Sequence, residues 1–216
     1  MKGYFETRAE QYSNFYDGLT WNFYHRFYVY YRLKKILSLI KFIKPARILD
    51  VGCGPGKLLK ELTKFKRVKL LAGCDNSVNM LKIAKKNANK KVKFYLVDAD
   101  ALPFPNMDFD WVFSIGVLPY MKQPLKGVRE IYRVLSADGT ACITYPYKKT
   151  LLSFFRENSA GIWLKKNIFR MAHYDVKYEK SKFIKIVEEV GFQVIAEERI
   201  LLSEFLLLLK KKTKNK

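Results

Sequence analysis

The chain has 216 residues, 49% of them hydrophobic, and carries a formal charge of +21 from 41 basic and 20 acidic side chains. A chain of this length buries roughly 70% of the surface its unfolded form exposes, so one domain can form without a disulfide or metal staple, and the apolar share excludes wholesale disorder. Three separated cysteines (Cys53, Cys74, Cys142) with no C-x-x-C pair exclude a disulfide framework, and two histidines (His25, His173) without ligand-spaced partners exclude a zinc site.

Residues 1–14 are polar, with no apolar segment of the signal-peptide type. Residues 1–44 read as helical and aromatic. Tyr24, Phe27, Tyr28, Tyr31, Leu33, Ile36, Leu37, Ile40 and Ile43 form a stripe at helical spacing, and Pro45 ends it. Strands then alternate with helices. Strands are expected at 46–51, 68–74, 92–97, 109–115, 140–146, 192–197 and 204–209, with helices at 57–65, after Ser77 as N-cap, around Leu125–Leu135, and at 181–190. A turn is expected at Asp138-Gly139.

This alternation describes an α/β fold: a doubly wound, mostly parallel seven-stranded sheet in a three-layer α/β/α arrangement. The connection before the last strand is too short for a crossover helix, so that strand should be antiparallel. Residues 1–209 read as a single domain with an N-terminal helical cap (1–44) and a lid-like insertion (147–180). Residues 210–216 are a basic tail. No apolar run approaches the ~20 residues that span a bilayer, so the protein is expected to be cytoplasmic.

The first strand runs into ILDVGCGPG, with Gly52, Gly54 and Gly56 on alternate positions. Glycine there lets the chain turn tightly and bring its backbone close to a ligand, at the carboxyl edge of the sheet where ligands of open α/β folds bind. A dinucleotide fingerprint would place glycine at position 57, where Lys57 stands. Asp50 would repel a diphosphate and favour a cation. Asp75, closing the second strand, is placed to accept two ribose hydroxyls. Asp98, closing the third, can accept the exocyclic amino group of a base. The ligand so described has a base, a ribose and a cation.

Over residues 46–146 the chain resembles the class I S-adenosylmethionine-dependent methyltransferases of the small-molecule "methyltransferase 11" type. ILDVGCGPG, GCDNSVNML, VDADALPFPNMDFDWV and REIYRVLSADGTACITYP stand in the order of that family's motifs. The resemblance implies a Rossmann-like methyltransferase fold and S-adenosyl-L-methionine as cofactor, with no metal. It also implies site residues. Gly52, Gly54 and Gly56 would pass beside the methionine part, with Asp50 supporting its amino group. Asp75 would bind the ribose, Asp98 the adenine amino group, and the Ala99 backbone would lie beside the ring. Ser114 and Gly116 would present backbone near the methionine end, and Tyr12 and Tyr16 would close over the cofactor. Three positions depart from the pattern: Asn76 replaces an apolar residue that packs on adenine, Ala137-Asp138-Gly139 replaces a Pro-Gly turn, and Tyr120 stands where relatives often carry His.

Methyl transfer requires alignment, exclusion of water and sometimes removal of a proton. Tyr120, His173 and, behind them, His25 are the candidate bases. Residues 148–185 hold ten basic side chains against three acids, interleaved with aromatic and aliphatic residues. That composition suits a small or lipid/quinone-like acceptor and contact with an anionic membrane surface, to which the lysine-rich tail adds attraction. The strong basic charge also supports an RNA acceptor, and a non-catalytic membrane- or nucleic-acid-binding protein is a third reading.

Overall fold

The computed structural model describes residues 2–7, 9–10, 13–14, 23–40, 46–147, 178–201 and 204–212. Tyr12, Tyr16, His173, residues 148–177 of the expected insertion and residues 213–216 of the tail lie outside the described residues. Among the described residues, helices α1 (Lys2–Thr7) and α2 (Phe23–Leu39) precede strand β1 (Ala46–Val51). Then come α3 (Lys57–Leu62), β2 (Val68–Asp75), α4 (Val78–Asn87), β3 (Val92–Leu96), β4 (Phe109–Ser114), α5 (Pro124–Val134), β5 (Leu135–Pro146), α6 (Lys180–Val190), β6 (Phe192–Ile200) and β7 (Glu204–Lys211).

The seven strands form one sheet in the order β3-β2-β1-β4-β5-β7-β6. β1 to β5 pair in parallel, and β7 runs antiparallel to both β5 and β6. Chain order reverses between β1 and β4, so a crevice opens there at the carboxyl edge.

Side chains alternate along each strand, and both faces of the sheet are covered. Ile48, Leu71, Phe113, Cys142 and Leu206 join one buried cluster with residues of α2, α3 and α4. Leu49, Ala72, Val112, Ile143 and Leu207 join the opposite cluster, with Val128 and Ile131 of α5 and Phe183 and Val187 of α6. In that second cluster Tyr145 stacks on Phe183 at 4.1 Å between ring centroids. Ser77 caps α4 as its sequence position suggests, its hydroxyl accepting from the Met80 amide at 3.1 Å.

Two local expectations are corrected. Asp138 and Gly139 do not form a turn before the fifth strand; they lie inside β5. Phe109 pairs with Leu135 and Trp111 with Thr140, so the register shifts and β5 bulges between its two paired ends. On α2 the buried face runs through Tyr28, Val29, Arg32 and Ile36, whereas Phe27, expected in the stripe, is 48% exposed. The face is rotated from the one drawn through the aromatic residues, and it includes a charge.

The long connection from β3 to β4 is held by α5. Arg133 donates to the carbonyls of Leu102 (2.9 Å) and Phe104 (2.7 Å) and pairs with Glu130, whose Oε2 accepts from the Leu102 amide at 2.8 Å. Tyr95, Phe104 and Phe109 pack edge-to-face beneath it. Arg133→Met keeps the aliphatic stem and removes these donors. It is expected to cost about 1–3 kcal/mol and to lower the melting temperature by about 2–4 °C for each kcal/mol lost, with faster amide exchange over residues 100–107. Calorimetry and hydrogen exchange read both effects.

Candidate functional site

A cavity of about 500 Å³ opens at the carboxyl ends of β1 to β4. Its lining includes Asp50, Gly52, Gly54, Asp75, Asn76, Asp98, Ala99 and Tyr120, so the structure brings most of the residues singled out in the sequence to one place. Gly56 and Ser114 are not among the lining residues.

Asp50 shares the strand face of Ile48, which looks toward α2, and is 3% exposed. Burial, and then the neighbouring carboxylate of Asp75, push its carboxyl up from 3.8 to about 8; the Arg32 guanidinium opposes them. A buried acid in this state is poised for a cation, because a positive group beside it restores the charged form. Asp75 is shaped by main chain. Its Oδ2 accepts from the Gly54 amide and its Oδ1 from the Ser77 amide, each at 2.9 Å. Its pKa is nevertheless raised, burial outweighing these amides. Asp98 is exposed, and its Oδ1 accepts from the Asn76 side-chain amide at 2.7 Å. Asn76, a departure from the family pattern, therefore orients the next acid along the rim.

The glycine loop divides between two tasks. Gly54 has φ +51 and no atom within 4 Å of where a Cβ would stand, so bare backbone faces open space. Gly56 has φ +73, and a Cβ there would lie 3.0 Å from Ala84 Cβ on α4. Its absent side chain lets α3 and α4 pack together.

Several lining residues gave little signal in the sequence. Arg32, in the aromatic helix, is 6% exposed, and its Nη1 donates to the Glu204 carboxylate at 3.3 and 3.5 Å. Its detectable signature was position: residue 32 falls one turn from Tyr28 and from Ile36 on the buried face. Phe5 of α1 meets Tyr120 edge-to-face at 5.1 Å. Glu6 accepts from the Ser77 hydroxyl at 2.6 Å, and its backbone carbonyl accepts from the Asn79 side-chain amide at 2.9 Å. These contacts dock α1 on the N-terminus of α4. Among the described residues no group of side chains is arranged to hold a metal ion, and no helix is long and apolar enough to cross a membrane.

The raised Asp50 sets a pH dependence. The folded protein keeps this proton until about pH 8, whereas the unfolded chain releases it near the ordinary 3.8. The group's contribution is therefore fullest below pH 4 and is lost as pH rises toward 8. Asp50→Asn removes this group's share of the dependence and leaves that of Asp75, also raised by burial. The ligand-free variant is expected to melt close to wild type at pH 4 and above it at pH 8, by an amount on the order of a few kcal/mol. Melting curves across that range check the sign, and a variant less stable than wild type at pH 8 would contradict it.

Residues 49–143 match the family model described as "Methyltransferase domain". The chain is 36% identical over 157 residues to the chloroplastic 2-methyl-6-phytyl-1,4-hydroquinone methyltransferase of Arabidopsis thaliana, covering 71% of this chain and 42% of that one. It is 30% identical over 195 residues to an uncharacterized protein of Methanocaldococcus jannaschii, covering 87% of this chain and 66% of the other. The chain thus spans about two fifths of the length of the plant relative. Among solved structures, magnesium protoporphyrin IX methyltransferase of Synechocystis with bound SAH superposes with a TM-score of 0.77 at 16% identity, covering 98% of each chain, which shows a shared fold. Motif order, strand order and the acids gathered at the carboxyl edge agree with these matches: the chain belongs to the class I S-adenosylmethionine-dependent methyltransferases.

Proposed function

We propose that this protein transfers a methyl group from S-adenosylmethionine to a small, largely apolar acceptor by direct displacement. The observation that carries the reading is the cavity at the β1/β4 reversal, with Asp50 and Asp75 at the ends of β1 and β2, Asp98 two residues beyond β3, and bare backbone at Gly54. The residues present fit a nucleoside bearing a cation. Asp75 would hold the ribose hydroxyls with its remaining lone pairs, Asp98 the adenine amino group, and the Ala99 backbone the ring edge. Gly52 and Gly54 would lie along the methionine part, with Asp50 stabilising its ammonium. When bound, the cofactor supplies a methyl group on a sulfonium, already strongly electrophilic. What remains for the chain is to align a nucleophile, which can contribute ~7–11 kcal/mol, and to shut out water.

Ile115, Val117 and Met121 after β4, with Val29, Leu33 and Ile36 of α2, give the rest of the cavity an apolar wall. Such a wall fits a small or lipid-like acceptor; the plant relative's name gives a prenylated hydroquinone as its substrate. Tyr120 lies on the wall and is our candidate general base, acting as the phenolate that takes the acceptor's proton, a contribution of about 10²–10⁴-fold; His173 is the second candidate. In this reading residues 1–44 form the cap, 147–180 the lid, and the basic lid and tail keep the protein at an anionic membrane surface.

The test is methyl-labelled cofactor incubated with fractionated extract. Label in the small-molecule or lipid fraction is expected; label in RNA, or none anywhere with cofactor bound, would overturn the reading. Binding itself has a proton signature. At pH 7 Asp50 carries its proton, with a pKa of about 8, and an α-amino group with pKa ~7.7–8.0 is an ammonium. Pairing them should release close to one proton per S-adenosylhomocysteine bound. Calorimetry in two buffers of different ionisation enthalpy measures it, and Asp50→Asn should abolish the release. Asp75→Ala should weaken binding at least tenfold.

A further inference from the structure

Asn76 joins two of the acids that describe the nucleoside. It follows Asp75, the last residue of β2, and stands half-buried on the cavity wall. Its backbone amide bonds the Asp75 carboxylate. Its side-chain amide serves the other acid, donating from Nδ2 to Asp98 Oδ1 at 2.7 Å. The backbone of Asp98, two residues beyond β3, is placed by its surroundings: the Val97 amide donates to the Asp75 carbonyl at 3.1 Å, and the Ala101 amide to the Asp98 carbonyl at 3.2 Å. Those bonds leave the side-chain torsions of an exposed aspartate free to turn. The Asn76 amide fixes them. Oδ2 accepts no hydrogen bond from the described residues and stays available to a ligand.

A carboxylate held in this way has one chemistry: it accepts and does not donate. Adenine offers a donor at its 6 position, the exocyclic amino group, with N1 beside it as an acceptor. Hypoxanthine reverses the pair; its 6 position is a carbonyl oxygen and its N1 carries a hydrogen. A carboxylate fixed opposite the 6 position pairs with the first base and sets acceptor against acceptor with the second. A carboxylate free to turn can follow the donor to N1 and accommodate both. Discrimination between the bases then depends on what holds Asp98 still.

Resting on the proposed cofactor position, we propose that Asn76 is a positioning residue that sets the base specificity of the site. By fixing Asp98 it makes the cavity take a 6-aminopurine nucleoside and reject the 6-oxo form. The departure from the family pattern thereby gains a use, because an apolar side chain at this position packs on the ring and holds no carboxylate.

The test is calorimetry with S-adenosylhomocysteine and its 6-oxo analogue, S-inosylhomocysteine. Wild type is expected to favour the adenine form by about a hundredfold. Asn76→Leu keeps the backbone amide on Asp75 and puts an apolar side chain against the ring. It should bind S-adenosylhomocysteine within about threefold of wild type while the preference falls by about tenfold, through tighter binding of the inosine form. Asp98→Ala should lose most of the preference, and adding Asn76→Leu to it should change the ratio no further, because Asn76 acts through Asp98. A merely loosened rim would weaken both nucleosides alike. An unchanged ratio in Asn76→Leu, or a further drop in the double variant, overturns the proposal. An Asp98→Ala variant that keeps the preference overturns the placement of Asp98 against the base as well. If wild type binds no S-adenosylhomocysteine at all, the cofactor reading fails and this inference falls with it.

Discussion

Side chains alternate along β1, and with both faces of the sheet covered, every residue of the strand's second half must be buried. Ile48 and Asp50 share one face, Leu49 and Val51 the other. An acid at position 50 therefore cannot reach water by turning; it enters the interface with α2. The same alternation puts Thr144 of β5 and Glu204 of β7 on that face, since they share parity with Cys142 and Leu206. The Thr144 hydroxyl accepts from the Gly116 amide at 2.8 Å, fixing the backbone just after β4. Asp50, Gly116 and Glu204 thus converge under one helix, and Arg32 is the residue of that helix that meets them. The polar floor of the cavity follows from strand parity applied to three strands at once.

Such a floor is expensive in an otherwise apolar interior. Desolvation is the largest influence on Asp50 and Asp75 and on the thiols of Cys53 and Cys74, the last pushed up to about 12. Those thiols are correspondingly poor nucleophiles, which fits an apolar packing role beside the acids. The two apolar clusters on either side of the sheet supply the compensating stability, with large side chains such as Tyr145, Phe109, Phe113 and Phe183 fully buried. A fold optimised for stability alone would place uncharged residues at 32, 50 and 204. Stability given up at buried charged groups is where function is to be sought.

The sheet was legible because its strands are short apolar runs bounded by glycine, asparagine or a capping serine, and those signals are local. The bulge in β5 was not. Asp138-Gly139 carries the residues of a turn, and only the pairing of β4 with both Leu135 and Thr140 shows that the chain resumes the same strand. Arg32 was hidden for the opposite reason. Apolar periodicity does not register a charged residue on the buried face, so the apparent stripe rotates toward Phe27. Its partner Glu204 lies 172 residues away, and no local pattern links the two. Asn76 read as a lost stacking contact because its hydrogen bond to Asp98 spans two strand ends. Local chemistry was readable; contacts that depend on which strands neighbour each other were not.

That division also runs through the cavity. The family match covers residues 49–143, a span that holds Asp50, the glycine loop, Asp75, Asp98 and the residues after β4. Its geometry is set by main-chain amides and by the Arg133–Glu130 clamp, none of which depends on what lies opposite. The facing wall comes from elsewhere: Phe5 from α1, Val29, Arg32, Leu33 and Ile36 from α2, with Glu204 from β7 behind them. A nucleoside held by the matched span would be met in the same way whatever the acceptor. The part of the wall outside that span can change without disturbing a single strand end. On this chain that wall carries Phe5 and the aliphatic side chains of α2, with the Arg32 guanidinium set among them.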